Sequence, residues 1–290
     1  MAEFLQFVFS GLTVGAIYAL VAIGFTLIYN ASGVINFAQG EFVMLGGMTT
    51  VFLGAAGVPL LLAAAAAVLI TTAVGMALYR FAIATAREAN TVTLIIITIG
   101  ASIFLRGLAG IMFDKRFHSL PPLFGSDAIR IGGAAILPQS LVVLAGALII
   151  VVLLWAFIDR TLFGKAVSAI AANRLAARLV GINTHVIVGA CFALSAAIGA
   201  IAGILVTPIT LTSYNAGTLL ALKGFAAVML GGIGSAIGAV VGGVLLGLFE
   251  AFAAGYLSAS YKDAVAFLVI LAVLFVMPQG LFGKAKGERV

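Results

Sequence analysis

The sequence predicts an all-α, polytopic transmembrane helix bundle with two broken helices, about 8–10 membrane segments long and forming one integral domain over residues 1–290. Three observations predict it. Of the 290 residues, 64% are hydrophobic and only 8% charged, and the mean hydropathy is +1.30, a balance foreign to soluble domains. Apolar runs near the roughly 20 residues needed to cross a bilayer recur along the whole chain, leaving no stretch for a separate soluble domain. Two of these runs are interrupted by glycines and polar residues, which a simple spanning helix does not accommodate.

Taken in order, the first run is Phe4 to Tyr29. No Lys or Arg precedes it and it exceeds the usual length of a signal-peptide core, so it reads as a membrane segment rather than a cleaved leader. The next, Val34 to Ala56, begins inside Asn30 to Gly47 (NASGVINFAQGEFVMLGG), where Asn36, Gln39 and Glu41 break the apolar pattern and Gly33 and Gly40 loosen the backbone. An acidic side chain at the centre of a membrane helix costs about 2.5–3.5 kcal/mol, so Glu41 is expected to face the bundle interior. It reads either as a pathway or gating residue, pairing with a buried cation such as Lys223, or as a carboxylate capping a half-helix over Phe42 to Phe52. Val58 to Tyr79 and Val92 to Phe113 follow, the latter with Arg106 as a snorkelling interface residue. Beyond a polar loop, Asp114 to Pro138, come Gln139 to Ile158 and Val186 to Val206.

The second broken stretch is Thr207 to Gly234, where Pro208, Asn215, Gly217, Lys223, Gly224 and the GGIG at Gly231 to Gly234 interrupt a segment centred on Leu219 to Ile233. Paired interruptions in the two halves of a chain point to a transport pathway. The pentapeptide VMLGG, at Val43 to Gly47 and again at Val228 to Gly232, suggests an internal duplication. Ala236 to Leu257 and Ala264 to Met277 complete the set. Lys223 and Glu250 are expected to pair or to snorkel to the outer interface. Glycines spaced by four, at Gly199 and Gly203, at Gly234, Gly238 and Gly242, and at Gly243 and Gly247, predict close helix contacts within the subunit.

The basic island Asp159 to His185 (DRTLFGKAVSAIAANRLAARLVGINTH) is the one long water-compatible stretch between membrane-grade segments. Arg174 and Arg178 fall on one helical face and Leu175 and Leu179 on the adjoining one, with Gly181 as a positive-φ stop followed by Asn183. Such a helix suits delivery of force from a cytoplasmic partner; the plain alternative is a loop whose cations only set topology. With the island inside, Arg80, Arg87, Lys284, Lys286 and Arg289 also fall inside, and Lys115, Arg116, Arg130 and Lys262 outside, as the positive-inside rule expects for a chain of net charge +6. The count of crossings then places the N-terminus outside and the C-terminus in the cytoplasm.

Several chemistries are missing. His118 and His185 have no companions at metal-ligand spacing, and no nucleophile with a base or CxxC pair is recognisable. Cys191 has no cysteine to bond with. Gly164-Lys165-Ala166 and Gly283-Lys284-Ala285 lack the spacing and hydroxyl of a phosphate loop, so any ATP that drives the protein is bound by another chain.

Four blocks together carry a resemblance over essentially the whole chain: GLTVGAIYALVAIGFTLIYNASGVINFAQGEFVMLGG, GKAVSAIAANRLAARLVGIN, ALKGFAAVMLGGIGSAIGAVVGGVLLG and the terminal PQGLFG. In this order they resemble the permease subunit of bacterial branched-chain amino-acid ABC transporters, the LivH type. The resemblance implies a passive pathway subunit, not an enzyme, in a bacterial inner membrane. It also implies a coupling helix within residues 159–185, with Gly164, Asn173, Arg174, Ala176, Ala177, Arg178 and Gly181 as coupling residues. Ala176, Ala177 and Gly181 match the importer loop motif, while Leu175 stands where many importers have Glu. Expected partners are a second homologous permease subunit, two cytoplasmic ATP-binding subunits and an external solute-binding protein, with no cofactor or metal in this chain. The pathway residues expected are Asn36, Gln39, Glu41, Lys223 and Glu250. The same family includes permeases for urea, short amides and small carboxylates. A reading of another class, an ion-coupled transporter or channel working alone, would call for more intramembrane ionisable residues than Glu41, Glu250, Lys223 and Arg106.

Overall fold

A computed structural model describes residues 2–86, 90–125 and 127–283. Its elements are almost entirely helical: α1 (Ala2–Ser32), α2 (Gln39–Ala55), α3 (Leu60–Leu78), α4 (Thr91–Met112), α5 (Pro138–Arg160), α6 (Leu162–Ala172), α7 (Arg174–Leu179), α8 (Thr184–Val206), α9 (Ala216–Gly231), α10 (Ala236–Tyr256) and α11 (Lys262–Val276). A short antiparallel hairpin, β1 (Ile129–Ile131) and β2 (Ala134–Ile136), lies in the loop before α5. Six helices (α1, α3 with its π-helical continuation, α4, α5, α8 and α10) are long and apolar enough to cross a membrane.

The two interrupted runs are half-helices fed by non-helical backbone. Residues 33–38 lead into α2, and residues 207–215 lead into α9. The first interrupted run, Val34 to Ala56, thus becomes helical only at Gln39. In the second, Lys223 and Gly224 lie inside a continuous α9 and do not interrupt it; the breaks fall before Ala216 and after Gly231. α3 runs on into a π-helical turn, Tyr79–Ile83, in which Ala84 N–H donates to Tyr79 O at 2.7 Å.

Two faces follow from the helix ends. Phe4 stacks on Phe252 and Asn30 Nδ2 donates to the Gly234 carbonyl at 3.0 Å, so α1 and α10 run antiparallel along their length. Gln6 holds Ala135 of β2, and His118 pairs through its backbone with Thr212 just past α8. The N-terminus, the 113–137 loop and the C-terminal ends of α8 and α10 therefore share one face. The island of α6 and α7 shares the other with the end of α9 and residues 277–283. Arg87, Lys284, Lys286 and Arg289 lie outside the described residues.

α1, α2 and α3 are related to α8, α9 and α10 by an inverted pseudo-two-fold. α1 lies on α10 as α8 lies on α3, α2 lies on α8 as α9 lies on α1, and α2 meets α9 across the relation. Inverted repeats of this kind build many transporters. The VMLGG pentapeptides are not equivalent within it: the first sits early in α2, the second ends α9 with Gly232 as C-cap. The duplication is one of helix arrangement, and the shared pentapeptide does not mark it.

Small residues set the seams. A Cβ at Gly243 or Gly247 would run into the backbone of α1 at Ala19 and Gly15, and the α3 stripe Ala63, Ala67, Thr71 and Gly75 is buried, with Gly75 against Phe192 and Ala196 of α8. These spacings serve contacts inside the subunit. The terminal PQGLFG folds back on α9: Leu281 N–H donates to Leu230 O and Phe282 N–H to Gly231 O, each at 2.9 Å, satisfying carbonyls that a helix end leaves unpaired.

Candidate functional site

The N-termini of the two half-helices meet in the bundle interior. Gly40 and Gly217 each occupy the second position of their helix, and a Cβ on Gly40 would overlap the Gly217 carbonyl. Only glycine at both positions allows this approach, so the two positive dipole ends face one another.

Around this junction the broken-segment residues are fully buried: Asn36, Gln39 and Glu41 are each 0% exposed. Asn36 Oδ1 accepts from Ala38 N–H at 3.1 Å. The Gln39 amide donates to Ser195 O at 3.3 Å and its Oε1 lies 2.6 Å from the Ser195 hydroxyl, tying α2 to α8. Glu41 Oε1 accepts from Ser102 of α4 at 2.8 Å and lies 3.9 Å from Arg106 Nε. Its side chain makes no cap bond to α2. Glu41 lies in the first turn of α2, where the helix dipole favours a carboxylate, but its hydrogen bond goes to α4, because Ser102 and Arg106 lie one helical turn apart on the face that α4 turns toward α2. Arg106, read as a snorkelling residue, is the cation nearest Glu41. Glu41 Oε2, Asn36 Nδ2 and Thr218 Oγ1 have no hydrogen-bond partner among the described residues.

Lys223 and Glu250 form a separate cluster and do not reach Glu41, which excludes a Glu41–Lys223 pair. Lys223 Nζ is bonded to Glu250 Oε1 and, at 2.8 Å, to Asp263 Oδ1 of α11; Tyr18 of α1 donates to Glu250 Oε2 at 2.5 Å. Lys223 and Glu250 are each 5% exposed. The cluster floors a cavity of about 480 Å³ that reaches Phe117, Leu211 and Lys262 at the loop face. Of the five expected pathway residues, three lie at the junction and two at this floor. Sequence reading missed Ser102, Ser195, Tyr18 and Asp263: Tyr18 and Ser195 are single polar residues on apolar helices, whereas Ser102 could have been found from its spacing of four with Thr98 and Arg106.

The island folds into two helices rather than one. Thr161 caps α6 through Gly164 N–H, and Asn173, extended at φ −158, ends α6 and caps α7 by accepting from Leu175 and Ala176 N–H at 3.0 Å. Gly181 takes φ +90, which closes α7 and turns the chain into α8, capped by Asn183. Ala177 is buried, while Leu175, Leu179 and Val180 are exposed at 67%, 80% and 77%. Arg174 and Arg178 instead line a cavity with Tyr79 and His185, and Arg178 Nε donates to Thr184. Ala176 lies on the exposed side of the same short helix.

In the loop, His118 does have a carboxylate companion: Asp114 Oδ1 lies 2.9 Å from His118 Nε2. The hydrogen bond from His118 holds the Asp114 carboxyl below its usual range. No group of three metal-ligating side chains occurs among the described residues.

The family profile described as branched-chain amino acid transport system / permease component matches residues 7–274. The chain belongs to this permease family. It is 37% identical over 304 residues to the high-affinity branched-chain amino acid transport system permease protein LivH of Salmonella typhimurium, covering 99% of this chain and 98% of that protein. The corresponding BraD protein of Pseudomonas aeruginosa is 35% identical at the same coverage. The galactofuranose transporter permease protein YtfT of Escherichia coli is 30% identical, over 93% of this chain and 79% of that one. Among solved structures, a chain of PsaBC from Streptococcus pneumoniae, determined in complex with a Fab, superposes with a TM-score of 0.51 over 96% of this chain and 94% of that one, at 14% identity. That likeness is one of fold.

Proposed function

We propose that this chain is the passive pathway subunit of an ATP-driven importer for branched-chain or other small amino acids in a bacterial inner membrane. The observation that carries the reading is the identity to LivH and BraD over almost the whole of all three chains. On this reading the island face is cytoplasmic and the 113–137 loop faces outward. An external binding protein hands solute to the outer face, and two cytoplasmic subunits bind and hydrolyse the ATP, since this chain has no phosphate loop. A second homologous permease completes the pathway.

The geometry supplies parts for each step. The exposed leucines of α7, one turn apart, form the apolar contact that an ATPase cleft would grip, and the capped ends at Asn173 and Gly181 make the short helix a rigid lever. The half-helix junction at Gly40 and Gly217 is the constriction that opens and closes: its glycines give no steric interlock, and its polar atoms are incompletely paired. Glu41, Gln39 and Asn36 hold the gate's closed arrangement. The test is reconstitution with the ATPase and binding-protein subunits and measurement of ATP-dependent leucine uptake against galactofuranose as competitor. No ATP-dependent leucine uptake by an assembled complex, or uptake abolished by galactofuranose alone, would overturn the reading.

A further inference from the structure

A cavity of about 500 Å³ opens where the island meets the membrane helices, lined by Ser32, Tyr79, Ile83, Arg174, Arg178 and His185 among others. Its walls are built. Tyr79 ends the α-helical path of α3, its N–H donating to Gly75 O, and opens the π-helical turn; Gly189 of α8 leaves room for its ring, since a Cβ there would lie 3.0 Å from two ring carbons. Tyr79 is only 7% exposed, and its hydroxyl is 3.2 Å from His185 Nδ1. Thr184, 2% exposed, accepts from Arg178 Nε at 3.1 Å and fixes the second guanidinium at the rim. Neither guanidinium has a carboxylate within ion-pair distance among the described residues, and no carboxylate lines the cavity among them.

Two guanidiniums, a phenol and an imidazole converging on one concavity make a receptor for a tetrahedral oxyanion, because the planar forks of Arg bind phosphate oxygens in pairs. The cavity lies at the level where α1 ends and α8 begins, the depth at which lipid headgroups meet basic side chains. We propose that this cavity binds a phosphate group, carried on an anionic lipid headgroup or as a soluble phosphate, and that the bound group braces α7 against the π-helical turn. The site is independent of the half-helix junction and of the solute carried.

Thermal stability of the purified full-length protein, with its partner subunits where they copurify, tests this with inorganic phosphate, phosphatidylglycerol in mixed micelles and phosphatidylcholine as probes. A ligand that binds only the folded state raises Tm. The expected result is a rise with phosphatidylglycerol or phosphate and a clearly smaller one with phosphatidylcholine, whose phosphate carries a quaternary ammonium that the two guanidiniums repel. The half-maximal concentration should increase about tenfold or more in Arg174→Gln/Arg178→Gln, as loss of charge-assisted bonds requires. The Arg174→Lys/Arg178→Lys protein should keep part of the response, and Tyr79→Phe should weaken it if the Gln pair does not fold. A rise confined to phosphatidylglycerol assigns the headgroup; a rise with inorganic phosphate assigns the soluble anion. Equal shifts in wild type and the Gln pair, or no shift in wild type with either anion, overturns the proposal.

Discussion

The half-helices α2 and α9 hold equivalent places in the inverted repeat, yet the charge buried beside them is treated in opposite ways. Beside α9, Lys223 meets two carboxylates from α10 and α11, and one of these is also held by Tyr18 of α1, so four helices are joined through one satisfied cluster. Beside α2, Glu41 has one short partner, Ser102, a guanidinium at 3.9 Å that is 30% exposed, and one oxygen without a partner. A closed network of charges fixes helices relative to one another, whereas an incompletely paired carboxylate at a glycine junction leaves alternatives open. The α9 side is therefore the strut of the bundle, and on the proposed function the α2 side is its moving part.

The largest effect should come from breaking the strut. Lys223→Met leaves Glu250 and Asp263 facing each other without a cation, a loss of about 3–5 kcal/mol. Fluorescence-detected size exclusion should show little assembled protein, and adding Glu250→Gln and Asp263→Asn should recover a substantial part. Full assembly of Lys223→Met alone would falsify the strut.

Next in size is the junction itself. Gly40→Val forces a branched side chain into the α9 backbone, an overpacking cost of about 1–3 kcal/mol or more. The amount of folded protein should fall clearly, and Gly217→Val should lower it too, since a Cβ there meets the Glu41 carboxylate at 2.5 Å and the Gly40 carbonyl at 2.8 Å. A wild-type yield for either would mean that the half-helices do not meet as described.

Glu41→Gln separates the clusters by function. An amide still accepts from Ser102, so assembly should stay within about 1 kcal/mol of wild type. Uptake per assembled complex should fall about tenfold, because the residue's charge acts on the gate rather than on the fold. Unchanged uptake would place Glu41 with Lys223 as structure only. Outside both clusters, Gly181→Val strains a φ of +90 by about 1–2 kcal/mol, leaving assembly nearly intact while ATP hydrolysis continues with reduced uptake.

The smallest effect belongs to the loop. Asp114, whose carboxyl is held low by His118, contributes stability above its unfolded pKa and loses it as pH falls through the depressed folded value. His118→Ala should lower Tm slightly at neutral pH, and the difference should vanish in acid, where Asp114 is protonated in folded and unfolded chains alike. A large drop at neutral pH would show that this loop carries part of the strut.

The sequence by itself determined the class, the two interruptions and the island. Hydrophobic runs have to lie in lipid, polar and glycine-rich interruptions have to be sheltered by protein, and a basic amphipathic stretch with Asn173 and Gly181 at its ends writes its own caps. These are local consequences, legible residue by residue. What only the tertiary structure decided was partnership. Whether Glu41 meets Lys223 or Arg106, and whether Lys223 breaks a helix or anchors one, depends on which faces the inverted repeat brings together across more than a hundred residues of chain. The VMLGG pentapeptides show why: identical strings were carried to inequivalent ends of two half-helices, while the true equivalence, Gly40 against Gly217, rests on two isolated glycines with no shared sequence around them. In a chain that is 64% hydrophobic, hydrophobicity says that helices associate but not which ones, and close contacts between small residues together with a few buried charges make that choice.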